Sequence, residues 1–154
     1  MTTSEHELAV SELKKQAKCL RKDTALGSDD EPKHQQVLHE VSRRAGFRDW
    51  QHARRILSGA GIPGEDWGTF WIGRPAGGFL NEWHAGYEQA RASWADQPEA
   101  FLIPYKTQFV IVGPELMRHA GIDPAQLAPG RDLVADKPAW DLYSSQRLRS
   151  LFRV

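Results

Sequence analysis

The chain has 154 residues, with Lys plus Arg and Asp plus Glu both at 20, a size that suits one ordinary domain or two very small ones sharing a core. Balanced charge leaves no global cationic field, which excludes a highly basic nucleic-acid coat protein as well as an acidic disordered tail. Hydrophobic residues at 40%, with six Trp and six Phe, are enough to build a core in spite of a mean hydropathy of -0.56.

Ser4 and Glu7 stand at capping-box spacing, and a helix is expected to follow them. Val10, Leu13, Ala17 and Leu20 recur at steps of three and four, a narrow apolar seam between lysines and arginines, which requires a partner helix. Gly27 and the acidic residues beside it end that helix. Pro32 suits the first turn of a second one, with Val37, Leu38, Val41 and Ala45 on one face and Gly46 as its stop. Asp49 then caps a third helix over residues 50–57, which turns Trp50, Ala53, Ile56 and Leu57 inward, with Phe47 packing ahead of the cap.

Residues 58–64 hold three Gly and a Pro and mark the boundary between a unit at 1–58 and a second at 65–154, expected to join in one continuous globule. The aromatic stretch 67–73 reads as a strand, and residues 74–78 as a turn. Leu80, Trp83, Tyr87, Ala90 and Trp94 keep helical spacing up to Asp96-Gln97-Pro98, which predicts one long helix. Residues 101–105 and 108–112 predict a strand pair about Lys106-Thr107, with Pro104 on an edge. A short helix runs from Pro114 to His119 and stops at Gly121, Ile122-Asp123-Pro124 begins a further turn, and a brief strand falls at 132–135. From Pro138 a partly helical pattern is broken by Ser144 and Ser145. The fold class is therefore α+β: a three-helix N-terminal unit packed on a small mixed sheet, with the long helix over one face.

The blocks Leu13-Lys14-Lys15-Gln16-Ala17-Lys18-Cys19-Leu20-Arg21, His34-Gln35-Gln36-Val37-Leu38 and Gly46-Phe47-Arg48-Asp49-Trp50 are similar to the short helical domain of bacterial glyoxalase-related proteins, over roughly residues 8–57. The C-terminal half is left unassigned. In glyoxalases the chemistry uses a metal held by His and Glu on facing strands of paired βαβββ modules. The second unit can be written as one such module, yet its first strand carries no His or Glu and its last offers only Asp132 and Asp136. The resemblance thus brings no catalytic residue with it.

Cys19 is the only cysteine, so no intrachain disulfide forms and no zinc site based on several cysteines closes within one chain. Beside Lys18 and Arg21 its thiol is either reactive or, as the plainer reading has it, a small residue on a helix flank. No run approaches eighteen apolar residues, so no membrane contact is expected and the cytoplasm is the expected compartment. As metal ligands, His34, His39 and Glu40 fit no recognised spacing, nor do Glu82 and His84; Glu115 and His119, four apart on one helix face, are the best pair, though such pairs also serve ordinary charge support. No Gly-x-Ser-x-Gly elbow occurs.

Binding is read ahead of catalysis, with no cofactor expected. Arg43, Arg44, Arg48, Arg54 and Arg55 concentrate guanidinium groups on the second and third helices, suited to phosphates, with Gln51 and His52 placed to read bases or remain solvated. Surplus aromatics, Trp67, Trp71, Trp83 and Tyr87 among them, suit a protein interface, with a second copy of the chain as a further partner. The expected function is a non-catalytic bacterial binding or regulatory module acting through protein contacts, with nucleic acid at the arginine surface as an additional partner. The alternative is a small metal-dependent or degenerate glyoxalase-like enzyme using Glu115 and His119.

Overall fold

A computed structural model describes residues 8–25, 34–70, 81–127 and 130–152. The capping box at Ser4, Pro32, Trp71 and the turn at residues 74–78 lie outside the described residues. The architecture is α+β, and its helices begin with α1 (Leu8–Ala25), α2 (His34–Ala45) and α3 (Trp50–Leu57). On α1 the stripe that reaches the core is Ala9, Leu13 and Ala17, with Val10 and Leu20 only at its margin. Steps of four keep those three residues on one side, and the two alanines let the helix lie close to its neighbours. The expected seam was rotated toward the bulkier Val10.

On α2 the apolar positions are buried as their spacing predicts. The helix stops where Gly46 takes φ +109°, a conformation that suits only glycine here because a Cβ would stand 2.7 Å from Thr69 Oγ1. Asp49 then caps α3: its Oδ1 accepts from the His52 amide at 2.8 Å.

Residues 67–70, expected to open a strand, instead form a turn that ties the helices to the sheet. Gly68 sits at φ +75°, which takes the chain out of extended geometry. Thr69 N donates to Gly46 O (2.9 Å), Trp67 N donates to Lys106 O (3.0 Å), and Lys106 N donates to Gly68 O (2.8 Å). Lys106 holds a positive φ of 52° at the tip of the strand pair, and those two bonds fix it there.

The sheet comprises β1 (Asn81–His84), β2 (Phe101–Tyr105) and β3 (Gln108–Val112) in the order β1-β3-β2, with both pairings antiparallel. The expected mixed character survives only as a single parallel bridge between Leu102 and Asp132, and what was read as a strand at 132–135 goes on as a turn. Pro104 lies on β2, at one edge of the sheet order, where a missing N–H costs least. The long helix expected from Leu80 divides into β1 and α4 (Tyr87–Ala95), with Gly86 as the N-cap of the latter. Trp83 and Tyr87 imitate helical spacing across the break. α4 lies on the sheet, with Ala90 fully buried beneath it.

The chain continues through α5 (Pro114–His119), α6 (Pro124–Leu127) and α7 (Lys137–Leu151). Ser144 and Ser145 do not break α7. Both are buried, and Ser145 Oγ donates to Leu142 O within the helix (3.0 Å), so its hydroxyl is satisfied without leaving helical geometry. α7 is the partner that α1 requires, together with α2. It brings Trp140 and Tyr143 against Trp67 and Phe70: Trp67 meets Trp140 edge-on at 5.3 Å, and Trp140 stacks on Tyr143 at 5.5 Å. Trp140 Nε1 donates to Ile56 O at 2.8 Å, so the indole is buried with its polar atom satisfied. Burying each of these large side chains favours the fold by about 2–3 kcal/mol. Asp141, 1% exposed, accepts from the amides of Leu8 (3.0 Å) and Ala9 (2.9 Å) and so caps the first turn of α1 from the far end of the sequence.

Candidate functional site

The arginines of α2 and α3 come with carboxylates. Arg44 and Arg43 reach Glu40 at 2.9 and 3.4 Å. Arg55 makes a two-pronged pair with Glu65, both bonds 2.9 Å, and Arg48 reaches Asp66 at 3.1 Å. Arg54 is exposed on the same helix. Arg44 holds the Glu40 carboxyl below its ordinary range, and Arg55 does the same for Glu65. Glu65 also accepts from Ile62 N and Asp66 from Gly68 N. Both acids lie beyond the helices in sequence, so the local excess of arginine overstates the positive field.

The two histidines of this region serve the backbone. His52 is buried rather than solvated. Its Nδ1 accepts from Arg48 N at 3.1 Å, and its Nε2 donates to Asp66 O at 2.7 Å, which selects the tautomer protonated on Nε2. Phe47 meets its ring edge-on. His39 Nδ1 accepts from the first amide of α3, Trp50 N, at 3.0 Å. Gln51 is exposed, as expected.

The aromatic candidates separate. Trp67 is buried and bonds Ile62 O through Nε1, so it belongs to the core. Tyr87 is half-buried, and its hydroxyl donates to Asp132 Oδ2 at 2.6 Å; burial and that carboxylate raise its pKa well above the ordinary tyrosine value. Trp83 is 39% exposed on β1, one of the two edge strands of the sheet. Tyr105 from β2 meets it edge-on at 5.4 Å, and Asn81 Oδ1 accepts from its indole N–H. Lys106 lies over the Tyr105 ring at 5.9 Å. The result is an aromatic pair, fixed in orientation and open to solvent.

On the opposite face of β1, Glu82 and His84 are two residues apart and therefore side by side. Glu82 accepts from Ser93 Oγ, from His84 Nε2 at 2.5 Å and from Gln97 Nε2 at 3.3 Å. These bonds, that of Ser93 foremost, hold its carboxyl below the usual range. The arrangement ties β1 to α4. Glu115 and His119 are both exposed on α5, and Cys19 is exposed on α1. Among the described residues no three His, Cys, Asp or Glu side chains gather where they could hold a metal ion, and no helix is long and apolar enough to cross a membrane.

A family model described as glyoxalase superfamily protein matches residues 1–71. The match takes in α1, α2, α3 and the turn that follows them, in keeping with the resemblance read from residues 8–57. No curated protein and no solved structure matches the chain.

Proposed function

We propose that the chain is a non-catalytic binding module that acts through protein contacts, with Trp83 and Tyr105 at the centre of the contact surface. The observation that carries this reading is the exposure of Trp83 on an edge strand while its ring is held in place by Tyr105 and Asn81. A rigid, solvent-facing indole loses little freedom on docking and contributes a large apolar area, which is why Trp and Tyr dominate interface energetics. The side chains that would carry chemistry have other work: His39 and His52 satisfy backbone groups, and Asp141 caps a helix.

The test is Trp83→Asp. The indole is half-exposed, so the variant should fold with an unchanged far-ultraviolet spectrum. A partner co-purified from the source organism with tagged wild type should be lost with the variant, or a self-associated species should fall to monomer in light scattering. Equal capture by both proteins would remove the surface from consideration.

A second reading places nucleic acid on the α2–α3 arginines, and the exposure of Arg54 on that face supports it. In that case duplex DNA binding should weaken steeply with salt, and Arg44→Ala combined with Arg54→Ala should flatten the slope. A cytoplasmic setting accords with either reading.

A further inference from the structure

A groove of about 630 Å³ runs between α4 and the chain that leads into α7, lined by Arg91, Trp94, Arg131, Asp132, Lys137 and Pro138 among others. It is shallow and open to solvent, so a ligand would lie along it and not be enclosed. Three of its lining side chains are cationic, one from α4 and two from the segment that leads into and begins α7. The carboxylates beside them are already engaged. Asp132, 7% exposed, accepts from Val134 N (3.1 Å) and Ala135 N (3.3 Å) on Oδ1 and from the Tyr87 hydroxyl on Oδ2. Asp136 accepts from Ala139 N as the cap of α7.

The cations differ in how they are held. Arg131 is fixed: Nη1 donates to Gln97 O (3.1 Å) and Ala100 O (3.0 Å), and its guanidinium lies over the Trp94 ring at 5.0 Å. Trp94 is locked in turn by its Nε1 bond to Ala100 O. A guanidinium held over an indole is a platform formed before any ligand arrives. Arg91 is free to turn, with its side chain 56% exposed and its nitrogen 3.6 Å from Asp132, a loose pairing. Lys137 Nζ donates to Gly61 O at 3.3 Å, and burial lowers its pKa. A partly desolvated ammonium of this kind gains more from an arriving anion than one in open water.

We propose that this groove binds a mononucleotide-like ligand, a phosphate group carried on a flat ring, with Arg91 and Lys137 on the phosphate and the Arg131–Trp94 stack against the ring. This site is separate from the Trp83 surface, so either assignment can fail alone. The phosphate meets one movable cation, Arg91, and one held by a single long bond, Lys137, and the ring meets a rigid wall; a bare anion would use only the cations.

The probes are AMP and inorganic phosphate, with binding measured by titration calorimetry on the full chain. AMP should bind at least about tenfold more tightly than phosphate. Arg91→Ala should weaken AMP by about tenfold with an unchanged melting temperature, because Asp132 keeps Tyr87 and its two backbone donors. Arg131→Lys retains the charge and loses the flat surface, so it should weaken AMP and leave phosphate as it was. Trp83→Asp should leave AMP binding intact. The proposal is overturned if AMP does not bind at millimolar concentration or binds no better than phosphate. It also fails if Arg91→Ala and Lys137→Gln both bind AMP as wild type does. A single-stranded oligonucleotide that binds far more tightly than AMP, with steep salt dependence, would overturn it too, by making the groove a track for a polymer.

Discussion

In the helical part of the molecule, several polar side chains that reach the interior meet backbone. Asp141 holds the amides of Leu8 and Ala9, His39 holds Trp50, and His52 holds Arg48 and Asp66. Around α4 polar side chains also meet one another: Glu82 takes Ser93, His84 and Gln97, while Asp132 takes Tyr87 and Arg91 besides two backbone amides. The first kind of bond is fixed by the fold, since a backbone group left without its partner in the interior has nowhere else to turn. The second kind, at Glu82, lies at half-exposed surface, where side chains exchange partners readily. Histidine and aspartate are thus poor guides to chemistry in the helical part, and recognition is to be sought around the sheet and α4.

The largest test of that contrast is Asp141→Ala. With both α1 amides and a buried site left unsatisfied, unfolding by denaturant should show a loss of about 3 kcal/mol; a loss under about 1 kcal/mol would put Asp141 in the exchangeable class. His52→Ala should come next, at about 2 kcal/mol, because two backbone groups lose their partner at once. A solvated histidine at that position would cost almost nothing.

Glu82→Gln addresses the other side of the contrast. Glu82 is more than a third exposed, so solvent screens its bonds and the loss at neutral pH should stay below about 1 kcal/mol. Its folded pKa lies below the ordinary 4.5, chiefly through Ser93. The unfolded chain therefore binds the proton first as pH falls, and the stabilisation is complete above about pH 4.5 and lost on going down through the folded value. The variant should show a shallower acid limb in a stability-versus-pH series. An unchanged limb would mean that the carboxylate does not hold β1 to α4. The smallest effect concerns Lys106, whose φ of 52° is costly for any side chain. Lys106→Gly keeps the two backbone bonds to residues 67 and 68 and should raise stability by about 0.5 kcal/mol; a decrease would show that the lysine stem over Tyr105 outweighs the strain.

The same contrast explains what could be read from the amino-acid sequence. The end of the second helix and both bounds of the third are legible because their signals are local: Gly46 as a stop, Asp49 as a cap, and Trp50, Ala53, Ile56 and Leu57 on one face. β1 was not legible, because Leu80, Trp83 and Tyr87 happen to keep helical spacing and only Gly86 marks the break. Ser144 and Ser145 misled in the opposite direction, as polar residues that a helix absorbs when they are buried and one bonds its own backbone. For the candidate sites the obstacle was distance along the chain. Arg55 meets Glu65 ten residues on, and Tyr87 meets Asp132 forty-five residues on, so neither the neutralised arginine face nor the groove beside α4 has a local signature. Trp83 was singled out with Trp67, Trp71 and Tyr87, and residue type alone could not tell the exposed ring from the buried one.

The carboxylate that seats the beginning of α1 belongs to a residue 132 positions downstream. During synthesis that helix emerges long before its receptor exists, and it must wait, half-formed or sheltered, until the chain up to Asp141 has left the ribosome. A truncated product should therefore present an unmoored leading helix, and nascent chains stalled upstream of Asp141 should be cut by protease in that segment while the released polypeptide resists.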